Sequence, residues 1–189
     1  MRSLVAVLVC LVPVTSGPAL AAPITAGVAV GIANSETNAD QGGDADTSLG
    51  LFGRLDFSSR LAGQLELSKL TIDDDYTGNT TGDIRSVTAL LVVELFARER
   101  IHFLLMAGAG LDHAETDYDS TDAHHFEGGL GVEYRSEGGF TLGADFRLGG
   151  RSVEDEEYYV EDDLPALIYA PGIDEGEYRA GRLFAGIRF

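Results

Sequence analysis

The chain contains no tryptophan and a single cysteine, Cys10. It carries only 13 Lys and Arg against 31 Asp and Glu, a formal net charge of -18. Nowhere does an uninterrupted apolar run reach the ~20 residues that a helix needs to cross a bilayer. Each shortage excludes something. So acidic a chain has no basic face with which to hold nucleic acid. The missing long runs exclude a helical inner-membrane protein, but they leave a barrel open, because barrel strands are short and only half apolar. Cys10 lies in a segment with one positive residue, Arg2, an apolar stretch from Leu4 to Val12, and the triplet Ala19-Leu20-Ala21. That order describes a secretory signal peptide. We expect residues 1–21 to be the leader, with cleavage after Ala21 or Ala22, and residues 22–189 to form a single domain. A lipoprotein signal needs a small residue before its cysteine, and Val9 is there. The mature chain is then expected to hold no cysteine, so it draws no stability from disulfides.

From Ile24 onward the pattern has a period of two. In "ITAGVAVGIAN", Ile24, Ala26, Val28, Val30 and Ile32 form one face. Small residues form the other. Eight such segments follow one another at roughly 24–34, 48–58, 60–70, 84–96, 101–112, 124–135, 139–151 and 178–189. Helical spacing fits none of them, and strands are predicted throughout. "VTALLVVELF" is apolar on both faces, but its valines and its place in the series favour a strand. The connections alternate in length. Those at 58–60, 97–100 and 136–139 are tight, and those at 35–47, 71–83, 113–123 and 152–177 are long. Short turns at one end and long loops at the other predict an all-β fold: an eight-stranded antiparallel up-and-down transmembrane β-barrel.

The two faces of the strands differ in kind. One row reads Ile101, Phe103, Leu105, Ala107, Ala109, Leu111, and another reads Phe140, Leu142, Ala144, Phe146, Leu148, almost free of charge over whole strands. The opposite faces carry Arg54, Asp56, Gln64, Glu66, Glu127, Glu133, Arg135, Asp145, Arg147, Arg151, Arg182 and Arg188. Charges of mixed sign inside a narrow barrel are tolerable when they pair. A soluble barrel would instead turn those charges to water. Three features favour the membrane. Phe57, Phe96, Phe103, Tyr134, Phe140 and Phe189 gather near the short turns like half of an aromatic girdle. The chain ends on Phe189. Finally, the four long loops hold 22 of the 31 acidic residues and no Lys or Arg, a polarity suited to one fixed orientation across a membrane.

On these features the sequence resembles the small outer-membrane barrels of Gram-negative bacteria, of the OmpX, opacity-protein and OmpA barrel-domain type. The resemblance spans the whole mature chain and rests on architecture. It implies that the last strand is an insertion signal read by the barrel-assembly machinery. The matching residues are Tyr178, Leu183, Ala185, Ile187 and Phe189. Ala185 is smaller than is usual in that family, and Gly181 and Gly186 fall off its preferred offset. The resemblance also implies outer-membrane lipid and lipopolysaccharide as surroundings, with acidic loops outside the cell and both termini in the periplasm.

Eight strands enclose an interior that side chains can fill. The expected role is therefore structural or interactive, at the membrane and cell surface, with a largely plugged lumen. A narrow channel for ions or small solutes is the alternative, because Gly27, Gly31, Gly108, Gly110, Gly129 and Gly131 leave room. A lipid A-modifying enzyme is a second alternative, with Ser120 and His124 or His125 as a conceivable triad; no enzyme motif is present, and none is expected. His113, His124 and His125 bracket the third long loop among carboxylates, yet they have no fixed ligand spacing, and adjacent His124 and His125 must point to opposite faces. No specific metal site or cofactor is expected. The loop at 152–177 mixes ten carboxylates with Tyr158, Tyr159, Leu164, Ile168 and Tyr169. It is the expected contact surface for a partner, and the acidic loops are expected to gather divalent cations diffusely.

Overall fold

The computed structural model describes residues 22–34, 46–73, 80–98, 100–116, 120–153 and 176–189. Eight strands follow in order: β1 (Ile24–Asn34), β2 (Asp46–Asp56), β3 (Leu61–Asp73), β4 (Thr80–Arg98), β5 (Ile101–Thr116), β6 (Ser120–Arg135), β7 (Phe140–Val153) and β8 (Gly176–Arg188). Each pairs antiparallel with the next, and β1 pairs with β8, so the sheet closes into a barrel. The seam runs from Thr25↔Arg188 to Asn34↔Arg179, and the Phe189 amide donates to the Ile24 carbonyl at 2.8 Å. Closure leaves no unpaired edge and satisfies the backbone inside a membrane.

The period of two decides which wall each residue joins. Outward-facing apolar side chains stay exposed, among them Phe126 (68 %), Leu183 (62 %) and Leu130 (61 %). From Ile101 to Leu111, ten steps of ~3.3 Å tilted by ~40° give an apolar band ~25 Å tall, the height expected of a membrane barrel. Inward-facing positions are buried. They form three apolar layers: Ala33, Leu70, Ile84, Ala114, Ala123 and Ala180; Ala62, Leu90, Val92, Leu104 and Met106; and Ala29, Phe52 and Phe184.

The strands run further than their apolar residues do. The expected loops 71–83 and 113–123 are mostly strand: β3 reaches Asp73, β4 starts at Thr80, β5 reaches Thr116 and β6 starts at Ser120. Beyond the lipid band a strand faces water on its outer side, so its sequence turns polar and reads as a loop. Cross-strand pairs mark these extensions, as in Lys69–Asp83 at 2.8 Å and His113–Asp122 at 2.6 Å. The loops 35–45 and 154–175, the leader and Ser120's side chain lie outside the described residues.

The short turns are tightly built. Gly139 adopts φ +82°, which L side chains rarely adopt, and a Cβ there would sit 2.5 Å from the Arg188 carbonyl oxygen. The Phe140 amide donates to Ser136 Oγ at 2.9 Å.

Candidate functional site: the charged lumen

Local sequence explains how long charged side chains fit so narrow an interior. Across the β6–β7 ladder Arg147 faces Gly129, Asp145 faces Gly131, Glu127 faces Gly149 and Glu133 faces Gly143. Arg182 faces Gly31 on β1, and His125 faces Gly110 on β5. Each bulky polar residue thus lies over a partner with no side chain.

The centre of the lumen is a five-residue ion cluster. Arg147 reaches Glu66 at 2.7 Å, Glu127 at 2.5 Å and Asp145 at 3.1 Å. Arg182 reaches Glu66 at 2.7 Å and Asp145, its cross-strand neighbour, at 2.8 Å. Both guanidiniums grip Glu66 through two nitrogens, the bidentate geometry that makes such pairs strong. Arg147 is 1 % exposed and Glu66 4 %, so an unmatched charge here would be severely penalised.

The network continues toward the short turns. The Gln64 amide donates to Glu66 and its oxygen accepts from Arg54 Nε at 2.6 Å. Arg54 Nη1 donates to Glu133 at 2.6 Å, and Glu133 accepts from Arg135. Arg135 reaches Glu94 at 3.0 Å, which also lies 3.0 Å from His102 Nδ1. The Arg54 guanidinium lies 5.8 Å from the Phe52 ring centroid and 6.0 Å from that of Phe184; the two rings meet edge-on at 5.8 Å. At the mouth, Arg188 pairs with Asp56 at 2.7 Å.

A second cluster sits toward the long connections. Arg151 Nε donates to Asp112 at 2.7 Å. His125 Nδ1 stands 3.0 Å from Asp112 Oδ1, while Nε2 stands 3.1 Å from Thr88 Oγ1. Carboxylate, imidazole and hydroxyl follow in the order of a hydrolytic triad. All three are buried, and the apolar layer of Leu70, Ile84 and four alanines lies in the same barrel interior. The cavity that all three help line is about 20 Å³, too small for a substrate; Asp112 alone also borders a larger hollow of about 880 Å³.

The residues expected to face the lumen are therefore placed as follows. Arg54, Gln64, Glu66, Glu127, Glu133, Arg135, Asp145, Arg147 and Arg182 join one continuous hydrogen-bonded chain, and Arg188 with Asp56 stands apart. The terminal row Leu183, Ile187 and Phe189 is exposed on the outer wall, with Ala185 half-buried beside it. Tyr178 pairs with Gly149 further along β8. His124 is exposed on the outer wall and His125 is buried inside. Sequence reasoning overlooked Phe52, Phe184, Glu94 and the Asp112–His125–Thr88 group. A signal existed for the two phenylalanines: both sit at lumen parity opposite a glycine, Phe52 facing Gly27 and Phe184 facing Gly143. Among the described residues no group of three His, Cys, Asp or Glu is arranged to hold a metal ion.

The described lumen keeps little space. The room left by glycine is occupied by Phe52 at Gly27, Arg182 at Gly31, Leu90 at Gly108, His125 at Gly110, Arg147 at Gly129 and Asp145 at Gly131. Cavities of about 30 Å³ near the short turns and about 20 Å³ between the two clusters are each the size of one or two waters.

A closed eight-stranded antiparallel barrel with an apolar outer wall and an ion-paired interior is the architecture of an outer-membrane protein. The chain belongs to the outer membrane protein beta-barrel domain family, which it matches over residues 4–163. The fold is similar to that of Neisserial surface protein A, NspA, at 17 % identity and TM-score 0.58, covering 88 % of this chain and 94 % of that one. It is also similar to a major outer membrane protein from Thermus thermophilus, at 13 % identity and TM-score 0.53, covering 89 % and 100 %. Ail, the attachment invasion locus protein of Yersinia pestis, matches at 16 % identity and TM-score 0.50, covering 89 % and 97 %. No curated relative matches in sequence.

Proposed function

We propose that this protein is a closed outer-membrane barrel that works through its wall and its surface, not through its lumen. In this reading the ion network braces the wall from within. The long acidic connections lie outside the cell, and the termini and short turns lie in the periplasm. The carrying observation is that named side chains occupy the space beside each of six lumen glycines. The charge asymmetry supports the orientation: an anionic lipopolysaccharide surface with acidic loops above it calls for divalent cations between them, held diffusely by oxygen ligands. The segment 152–177, with aromatics amid carboxylates, is the proposed contact with a surface partner. The names of two fold neighbours, a surface protein and an attachment protein, point the same way. Leu183, Ala185, Ile187 and Phe189, with Tyr178, form the proposed address for the barrel-assembly machinery.

The test is conductance of the pure, refolded protein in planar bilayers. A closed lumen gives no steps above the lipid baseline. Discrete, reproducible openings that disappear when the protein is unfolded overturn the closed-lumen reading and leave a narrow channel in its place.

A further inference from the structure

β4 changes faces near its end. From Ile84 to Glu94 its even-numbered residues point into the lumen, and Ile84, Thr88, Leu90 and Val92 are buried there. Between Glu94 and Phe96 the register shifts, so that Glu94 pairs with Leu104 but Phe96 pairs with Phe103 and Arg98 with Ile101. Leu95 is the extra residue of a β-bulge, a device that re-aims side chains. After it the even residues face outward: Phe96 is 57 % exposed and Arg98 is exposed. An uninterrupted ladder would have turned Arg98 inward. The bulge instead sets it on the outer wall, at the short-turn rim of the apolar band.

Its surroundings there are specific. The Phe96 and Phe103 rings lie 4.7 Å apart at 37°. Ile101 pairs with Tyr134 on β6, and both are exposed. Arg100, in the following turn, donates to the Tyr134 hydroxyl oxygen at 3.5 Å and to Glu137 at 2.5 Å. The Tyr134 hydroxyl accepts in this contact, so its own proton remains available to an acceptor. Arg98 has no hydrogen-bond or ion-pair partner among the described residues. The opposite rim differs. There Lys69 holds Asp83, His113 holds Asp122 and Arg179 holds Glu177, so those side chains are matched within the protein.

We propose that Arg98, Arg100 and Tyr134 bind the phosphodiester of an anionic glycerophospholipid at this rim. Two guanidiniums and a phenol proton meet the phosphate, and the acyl chains lie on Phe96, Phe103 and Leu105. The exposed Arg100–Glu137 pair is of the weak kind that a phosphate can displace. An anionic lipid is favoured over a zwitterionic one because no carboxylate among the described residues meets Arg98, and a zwitterionic headgroup brings a cation of its own. Placing the site in the periplasmic leaflet rests on the orientation proposed above; the binding itself does not.

The test is native mass spectrometry of the folded barrel released from nanodiscs of equal phosphatidylglycerol and phosphatidylcholine. The wild type should retain one phosphatidylglycerol in about five-fold preference, the order expected of one surface arginine. Arg98→Gln should abolish that preference, and Lys69→Ala, at the other rim, should leave it intact. Among the described residues Arg98→Gln removes no hydrogen bond or ion pair, so a normal heat-modifiable gel shift is expected for it. Equal retention of the two lipids by the wild type, or unchanged preference in Arg98→Gln, overturns the proposal. So does displacement of the retained lipid by inorganic phosphate at matched concentration, which would mark a general anion site. Protease accessibility of the loops on whole cells tests the orientation separately.

Discussion

Replacing Arg147 by methionine tests the energetic reading of the lumen most directly. Methionine keeps the length and removes the charge. Glu66 and Asp145 would still be held by Arg182. Glu127 would not: among the described residues its ion pair is with Arg147 alone, at 2.5 Å. The variant therefore strands one buried carboxylate, and breaking a buried pair from one side costs ~3–5 kcal/mol. With a urea dependence of ~2 kcal/mol per molar, the unfolding midpoint in phospholipid vesicles should fall by ~1.5–2.5 M. The double variant Arg147→Met, Glu127→Gln removes the stranded charge and should recover most of that loss, leaving a deficit of ~1–2 kcal/mol. The chain has no tryptophan to report unfolding by fluorescence, so the fraction folded is read from gel migration before and after boiling. If Arg147→Met unfolds within about 1 kcal/mol of the wild type, or the double variant is no more stable than the single one, the stranded-charge argument is wrong.

Two further predictions follow from the wall. Deleting Phe189 should sharply lower the amount of heat-modifiable barrel in the membrane fraction. Arg188→Ala, which loses only a part-exposed pair with Asp56 worth ~1 kcal/mol or less, should assemble normally; wild-type levels for the deletion would remove the insertion-signal claim. Gly143→Ala places a methyl 2.3 Å from the Phe184 ring and 2.4 Å from the Val132 carbonyl oxygen. It should destabilise the barrel by ~1–3 kcal/mol, and Phe184→Leu should rescue it only in part, because the Val132 carbonyl belongs to the backbone. Full rescue would show that the backbone contact does not matter.

What was legible in the sequence was whatever the period of two reports: the number of strands, their faces, and the alternation of short and long connections. It stopped being legible where both walls carry the same chemistry. Beyond the lipid band β3 to β6 are polar on both sides, so their last turns of ladder looked like loop. In "VVELF" both sides are apolar around Glu94, so the bulge at Leu95 left no trace in the pattern. The candidate site divided in the same way. Which charges face inward follows from parity, and Arg147, Glu66 and Arg182 were readable on that basis. Which charges meet depends on the stagger between strands that are not neighbours in the ring. That is why the meeting of Arg182 with Glu66, 116 residues away, could not be read from the pattern. Phe52 and Phe184 were obscured because they are apolar residues on the face that charge marks as the lumen.

The pairing of Glu127, Glu133, Asp145 and Arg147 with glycines across the β6–β7 ladder also settles a question that hydrophobic alternation leaves open. An odd slip between strands exchanges the two walls and is forbidden at once. An even slip preserves every wall, so lipid and water exert no preference against it. The interior does. A two-residue slip of β7 along β6 brings Asp145 against Glu133 in one direction and Arg147 against Glu127 in the other, side chain upon side chain where the native stagger sets each against bare backbone. Stagger summed around the ring is the shear, and shear with strand number fixes a barrel's radius. In this protein the girth of the cylinder is thus written in its glycines.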